Sequence, residues 1–77
     1  MRIVYSDHAK IKLTQRNIAT SFVVATIQEP DFIKPTTLGR DQYFRKFTNL
    51  YLKVIAKKLE RQVVVITAHW VAKTKAN

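Results

Sequence analysis

The stretch QYFRKFTNLYLKVIAKKLERQVVVITAHWV, residues 42–71, decides how this chain folds. Within it Leu50, Leu52, Val54 and Ala56 alternate with Tyr51, Lys53, Ile55 and Lys57. A period of two is the signature of a strand with one face buried. Gln42 to Phe47 predicts the strand before it, and Gln62 to Val71 the strand after it. Thr48-Asn49 has the length of a tight hairpin turn, with Asn49 as the residue that tolerates positive φ. Lys58 to Arg61 reads as a charged turn. In the last strand Val64, Ile66, Ala68 and Trp70 are expected in the core, with Val63, Val65, Thr67 and His69 on the opposite face. Both faces are apolar over Val63 to Ile66, which predicts a strand inside the sheet rather than at its edge.

Working upstream, Arg2 to Tyr5 is a short strand by the same alternation. Ser6 or Asp7 has the side-chain oxygen that caps a helix N-terminus, and the helix is predicted to run to about Arg16 with Ala9 and Leu13 inward. Asn17 suits the left-handed conformation that ends a helix. A second helix is predicted from Thr20 or Ser21 to Pro30, burying Val23, Val24 and Ile27. Pro30 lacks an amide donor and forces Glu29 out of helical geometry. Asp31 to Arg40 is expected to be an irregular connection. The expectation is an α+β domain, β-α-α-β-β-β, spanning residues 1–77. Two N-terminal helices pack on one face of a small, mainly antiparallel sheet.

Seventy-seven residues suffice for one domain, and 47% hydrophobic content suits a packed one. The sequence has no cysteine, which excludes disulfides and thiolate metal sites and predicts a cytoplasmic protein. Two histidines and five carboxylates make a dedicated metal site an unfavourable reading, and no cofactor is expected. The single glycine excludes a phosphate-binding loop of the Walker type and a dinucleotide fingerprint. The opening residues lack a signal-peptide apolar run, and no stretch approaches the roughly 20 apolar residues of a membrane span.

Charge is the stronger signal. Lys and Arg number 14 against 5 acidic residues, a net +9. Residues 40–61 carry seven cations and two carboxylates, a local +5 on what reads as β-sheet. Such a surface repels itself, so a polyanion is the expected partner, with nucleic-acid phosphate first and an acidic protein second.

Three groupings can carry chemistry. His8, Lys12 and Arg16 fall at i, i+4 and i+8, one stripe of a helix. They form a phosphate-contacting ridge, an acid–base histidine with two charge stabilisers, or an ordinary solvated helix face on which His8 helps to fix the helix start. Lys53, Thr67 and His69 share a predicted sheet face. An imidazole beside a fixed cation is what RNA cleavage needs, since a base removes the 2′-hydroxyl proton while cations neutralise charge on phosphorus. The competing reading is a strand threonine and a histidine packed on a neighbour. The basic-aromatic run Arg40, Tyr43, Phe44, Arg45, Lys46 and Phe47 supplies guanidinium forks and stacking surfaces. Alternation puts Tyr43, Arg45 and Phe47 on one face and Phe44 and Lys46 on the other, and leaves open which of the two is wet.

These residues resemble a family. Ser6-Asp7-His8-Ala9, Lys12, Arg16, Ile18, Val23, Ile27 and Pro30-Asp31 follow the pattern His-Ala-x-x-Arg-x-x-x-Arg-Gly-Ile with a second helix ending in Pro-Asp. Gly39-Arg40, Tyr43, Arg45-Lys46-Phe47, Leu52-Lys53-Val54-Ile55 and Val65-Ile66-Thr67-Ala68 continue it. The pattern belongs to small, largely uncharacterised proteins similar to RelE/ParE-like toxins of toxin–antitoxin pairs. The resemblance implies an mRNA-cleaving endoribonuclease, often acting on the ribosome and silenced by an acidic antitoxin. It implies His8, Arg16, Arg45, Lys53 and Thr67 as characteristic polar residues. Lys12 departs from the family's arginine, Asn17 from its glycine, and His69 stands where tyrosine is common.

The catalytic expectation therefore falls on His8, Arg16, Arg45, Lys53 and His69. RNA contacts are expected from Lys12, Arg40, Lys46, Tyr51, Lys57 and Thr67. The alternatives are a non-catalytic basic module that binds nucleic acid or protein, and a ParE-like gyrase inhibitor.

Overall fold

The computed structural model describes residues 1–36 and 38–72. Its elements in chain order are β1 (Arg2–Tyr5), α1 (Asp7–Gln15), α2 (Thr20–Gln28), β2 (Phe32–Pro35), β3 (Asp41–Phe47), β4 (Leu50–Lys58) and β5 (Gln62–Val71). The five strands form one sheet in the order β1-β5-β4-β3-β2. β1 runs parallel to β5, and every other neighbouring pair is antiparallel. The α+β class and the two-helix, mainly antiparallel layout are as expected, and β5 does lie between two neighbours.

Ser6, not Asp7, caps α1: its Oγ accepts the Ala9 amide at 3.0 Å. Asn17 ends α1 at φ 54°. The Ile18 amide then donates to the Leu13 carbonyl at 2.9 Å and the Asn17 amide to Thr14 at 3.3 Å. That is a Schellman closure, and the buried pair Leu13 and Ile18 supplies its hydrophobic contact. α2 presents Val23 and Thr26 to the core, with Ile27 packed at its margin and Val24 only half-buried. Thr26 is 0% exposed, and its hydroxyl donates to the Phe22 carbonyl at 2.8 Å. A β-branched threonine can be buried in a helix because the carbonyl four residues back satisfies its hydroxyl.

Three further expectations are corrected. Phe32–Pro35 is a strand, so the order is β-α-α-β-β-β-β; only the latter part of residues 31–40 is a connection, turning at Gly39 with φ +73°. Pro35 disguised the strand, since proline cannot donate to a ladder; it is tolerated because β2 is an edge. The second correction is the phase of β5. The register passes from Ile55↔Thr67 to Ala56↔Val65, which leaves Ile66 as an extra residue. This bulge flips the alternation, so Val63 and Val65 are buried with Ala68, while Val64 and Ile66 are only half-buried. In the β3–β4 turn, positive φ falls on Thr48 (57°) rather than on Asn49.

The core is one-sided. Ala9, Leu13, Ile18 and Val23 meet Tyr43, Leu52, Val54, Ala56, Val63, Val65 and Ala68. The helices cover that face, and among the described residues no helix covers the other face of the sheet.

Candidate nucleic-acid interface

Cross-strand register assigns every strand residue to a face, because directly paired residues point the same way. Phe32 pairs with Phe44, Phe44 with Lys53, and Lys53 with His69. These four form a transverse row over β2, β3, β4 and β5, opposite to the buried Leu52 and Val54. Three interstrand spacings of about 4.8 Å give the row a span of roughly 14 Å. A second row runs Lys34, Gln42, Ile55, Thr67, and a third runs Lys46, Tyr51, Val71. Lys57, Val64 and Val4, then Gln62 and Arg2, complete the face beyond the bulge. The strand residues of this face include Lys34, Lys46, Lys53 and Lys57 and no Asp or Glu; the only acidic strand residue, Asp41, pairs with the buried Ala56 on the helix side.

Arg16 joins the row from its far end. β1 stops at Tyr5, opposite Val65, so among the described residues the outer edge of β5 beyond that point lacks a strand neighbour. The Arg16 guanidinium, at the C-terminal cap of α1, donates to the Ala68 carbonyl at 2.8 Å and the Thr67 hydroxyl at 3.3 Å. It bridges the helix to that edge, next to His69. Burial lowers the His69 pKa from its ordinary value, and the Lys53 ammonium and Arg16 guanidinium lower it further. The neutral form of the imidazole is therefore favoured over the charged one, with two fixed cations close enough to act on it.

At the other end of the row the rings pack together. Phe32 and Phe44 stack with centroids 4.7 Å apart, and Tyr51 lies 5.8 Å from Phe32. Phe44 is 3% exposed although it faces away from the helices, because this aromatic cap and its lysines cover it. The Lys34 and Lys53 ammoniums approach the Phe44 centroid to 5.6 and 6.0 Å.

Of the expected residues, Arg16, Lys53, Thr67 and His69 come together, with Lys46, Tyr51 and Lys57 on the same face. Arg45 does not join them. It pairs with the buried Leu52 on the helix side and donates to the Glu29 carbonyl at 2.7 Å, with the Glu29 carboxylate at 3.8 Å. It closes the C-terminus of α2, which also orders the chain ahead of β2. His8 sits in the exposed first turn of α1, eight residues from Arg16 and thus about 12 Å along the helix. Lys12 points to the Gln15 side chain at 3.4 Å. Arg40 is exposed just before β3, outside the rows. Phe32 and Lys34 belong to the face and were missed, because they ride on the strand that Pro35 concealed. A cavity of about 630 Å³ lies elsewhere, where Tyr5 and Leu13 meet the α1–α2 connection.

No family model, curated protein or solved structure matches the chain. Among the described residues, no helix is long and apolar enough to cross a membrane.

Proposed function

We propose that the open face binds RNA and cleaves it at His69, as an endoribonuclease of the toxin kind. The observation that carries this reading is the direct cross-strand pairing of Lys53 with His69, with Arg16 at the strand edge behind them. Neutral His69 takes the proton of the ribose 2′-hydroxyl. The 2′-oxygen bonds to phosphorus, the bond from phosphorus to the 5′-oxygen breaks, and a 2′,3′-cyclic phosphate remains. Lys53 and Arg16 neutralise the charge that grows on the phosphoryl oxygens. The Lys53 ammonium gives a proton to the departing 5′-oxygen. An acidic antitoxin is the natural antagonist, since its carboxylates complement a face on which the strand residues include no Asp or Glu. The family resemblance supports the toxin assignment, and the geometry supports the phosphate chemistry.

Induced expression in bacteria, followed by sequencing of mRNA ends, tests the reading. Growth arrest with new cyclic-phosphate ends is expected, and His69→Gln reduces cleavage about 100-fold or more, the usual scale of a lost general base. Intact mRNA under full expression defeats the nuclease reading. A second reading then stands, a basic module that binds nucleic acid without cutting it. It is favoured by the placement of His8, which leaves a single imidazole at the centre where a paired acid and base would use two.

A further inference from the structure

The Lys53–His69 pair occupies only half of the transverse row. The other half is aromatic and contains no group that moves a proton. Phe32 is half-buried, with one side stacked on Phe44. Lys34 reaches over both rings, at 5.9 Å from the Phe32 centroid and 5.6 Å from that of Phe44, while Lys53 leans on Phe44 from the next strand. A cation over a ring gains about 0.5–1 kcal/mol at an exposed site. Two ammoniums drawn to one ring also repel each other, and no acidic strand residue shares their face. An anion held between them relieves that repulsion. A planar group fits beside it, because Phe32, on the edge strand β2, and Tyr51, on β4, form a half-buried amphipathic wall on this face.

Resting on the RNA reading above, we propose that Phe32, Lys34 and Tyr51 form a nucleotide subsite. It stacks one unpaired base on Phe32 and holds the adjoining phosphate between Lys34 and Lys53. The subsite restricts the ligand to single-stranded RNA. A base inside a duplex is already stacked on both sides and cannot lie on Phe32, whereas a single strand can turn one base out. The row then has a direction: base at β2, phosphate over β3 and β4, and reacting phosphodiester over β5. The roughly 14 Å span accommodates a ligand of two or three nucleotides laid across the strands.

Binding of a 2′-O-methyl oligouridylate tests this independently of chemistry, because the blocked 2′-oxygen cannot attack phosphorus. An abasic phosphodiester chain and an RNA duplex of the same length serve as comparisons. Phe32→Leu keeps an apolar cover on Phe44 but removes the aromatic face, and it weakens oligouridylate binding about 10-fold, on the scale of one lost stack. It leaves the abasic chain unaffected, and Phe32→Trp retains wild-type affinity. Lys34→Gln weakens both single strands and reduces the log–log salt slope by about 0.7, the loss of one phosphate contact. The subsite is refuted if Phe32→Leu binds oligouridylate as wild type does. Equal affinity of the wild type for duplex and single strand also refutes it. Absence of cleavage of the unmodified oligouridylate alongside Phe32-dependent binding overturns the nuclease reading and leaves the subsite standing.

Discussion

Leu52 and Lys53 are neighbours in the chain and live under opposite rules. Leu52 points into the helix-covered face and is fully buried; Lys53 points to the open face among lysines, an imidazole and aromatic rings. On the first face charge is tolerated only at the rim, where Arg45 closes a helix end. On the second, positive charge is concentrated and its counter-charge is absent from the strands. A sheet of this size has only one core to build, so its second face is free for recognition. The difference teaches where stability and function separate, and substitutions on the two faces should separate in the same way.

The largest effect is expected in the core. Leu52→Ala should cost about 3 kcal/mol in urea unfolding, the usual range for an emptied leucine site, and a domain of this size has little more to lose. Lys53→Ala, one residue away, should change unfolding by less than about 0.5 kcal/mol. Equal costs would mean that the open face is structural after all. Arg45→Met should come next, at about 1 kcal/mol, most of it from the bond to the Glu29 carbonyl. The Glu29 carboxylate is exposed, and surface ion pairs contribute little. RNA binding in this variant should stay within about two-fold of wild type in a filter-binding assay, because Arg45 lies behind the sheet. The smallest effect is a titration. NMR should show His69 titrating below the ordinary histidine value of about 6.5, and Lys53→Met should raise that midpoint. The sign for stability follows, because the unfolded chain binds more protons between the folded midpoint and about 6.5. The His69 contribution is thus constant above that range and is lost as pH falls through the folded midpoint. A bound polyanion should shift the midpoint upward by offsetting Lys53 and Arg16.

Much of this was legible in the residues. The alternation from Leu50 to Lys57 gave β4 its correct faces, and Asn17 marked the end of α1. Lys53, Thr67 and His69 were placed together by simple parity, because all three lie on the His69 side of the bulge. Parity failed for Val63 to Ile66, where every side chain is apolar and the pattern holds no information about phase. Arg45 was expected in the catalytic group although parity left its face open, since charge alone cannot distinguish a phosphate-binding guanidinium from one bound to a helix carbonyl. Thr26 was overlooked because its hydroxyl finds a partner within its own helix. Phe32 and Lys34 were hidden by a proline that reads as a breaker everywhere except at a sheet edge.

The spare residue at Ile66 has a genetic consequence. Upstream of it, β5 is locked between two strands; downstream, it carries the imidazole. Loss of one codon at Ile66 or Thr67 would be absorbed by straightening the bulge, leaving Trp70 inward and His69 outward. Loss of a codon between Leu50 and Lys53 has no such slack to draw on and would invert the faces of one end of its strand. Length variation among descendants of this chain should therefore collect at the bulge and avoid the strand beside it.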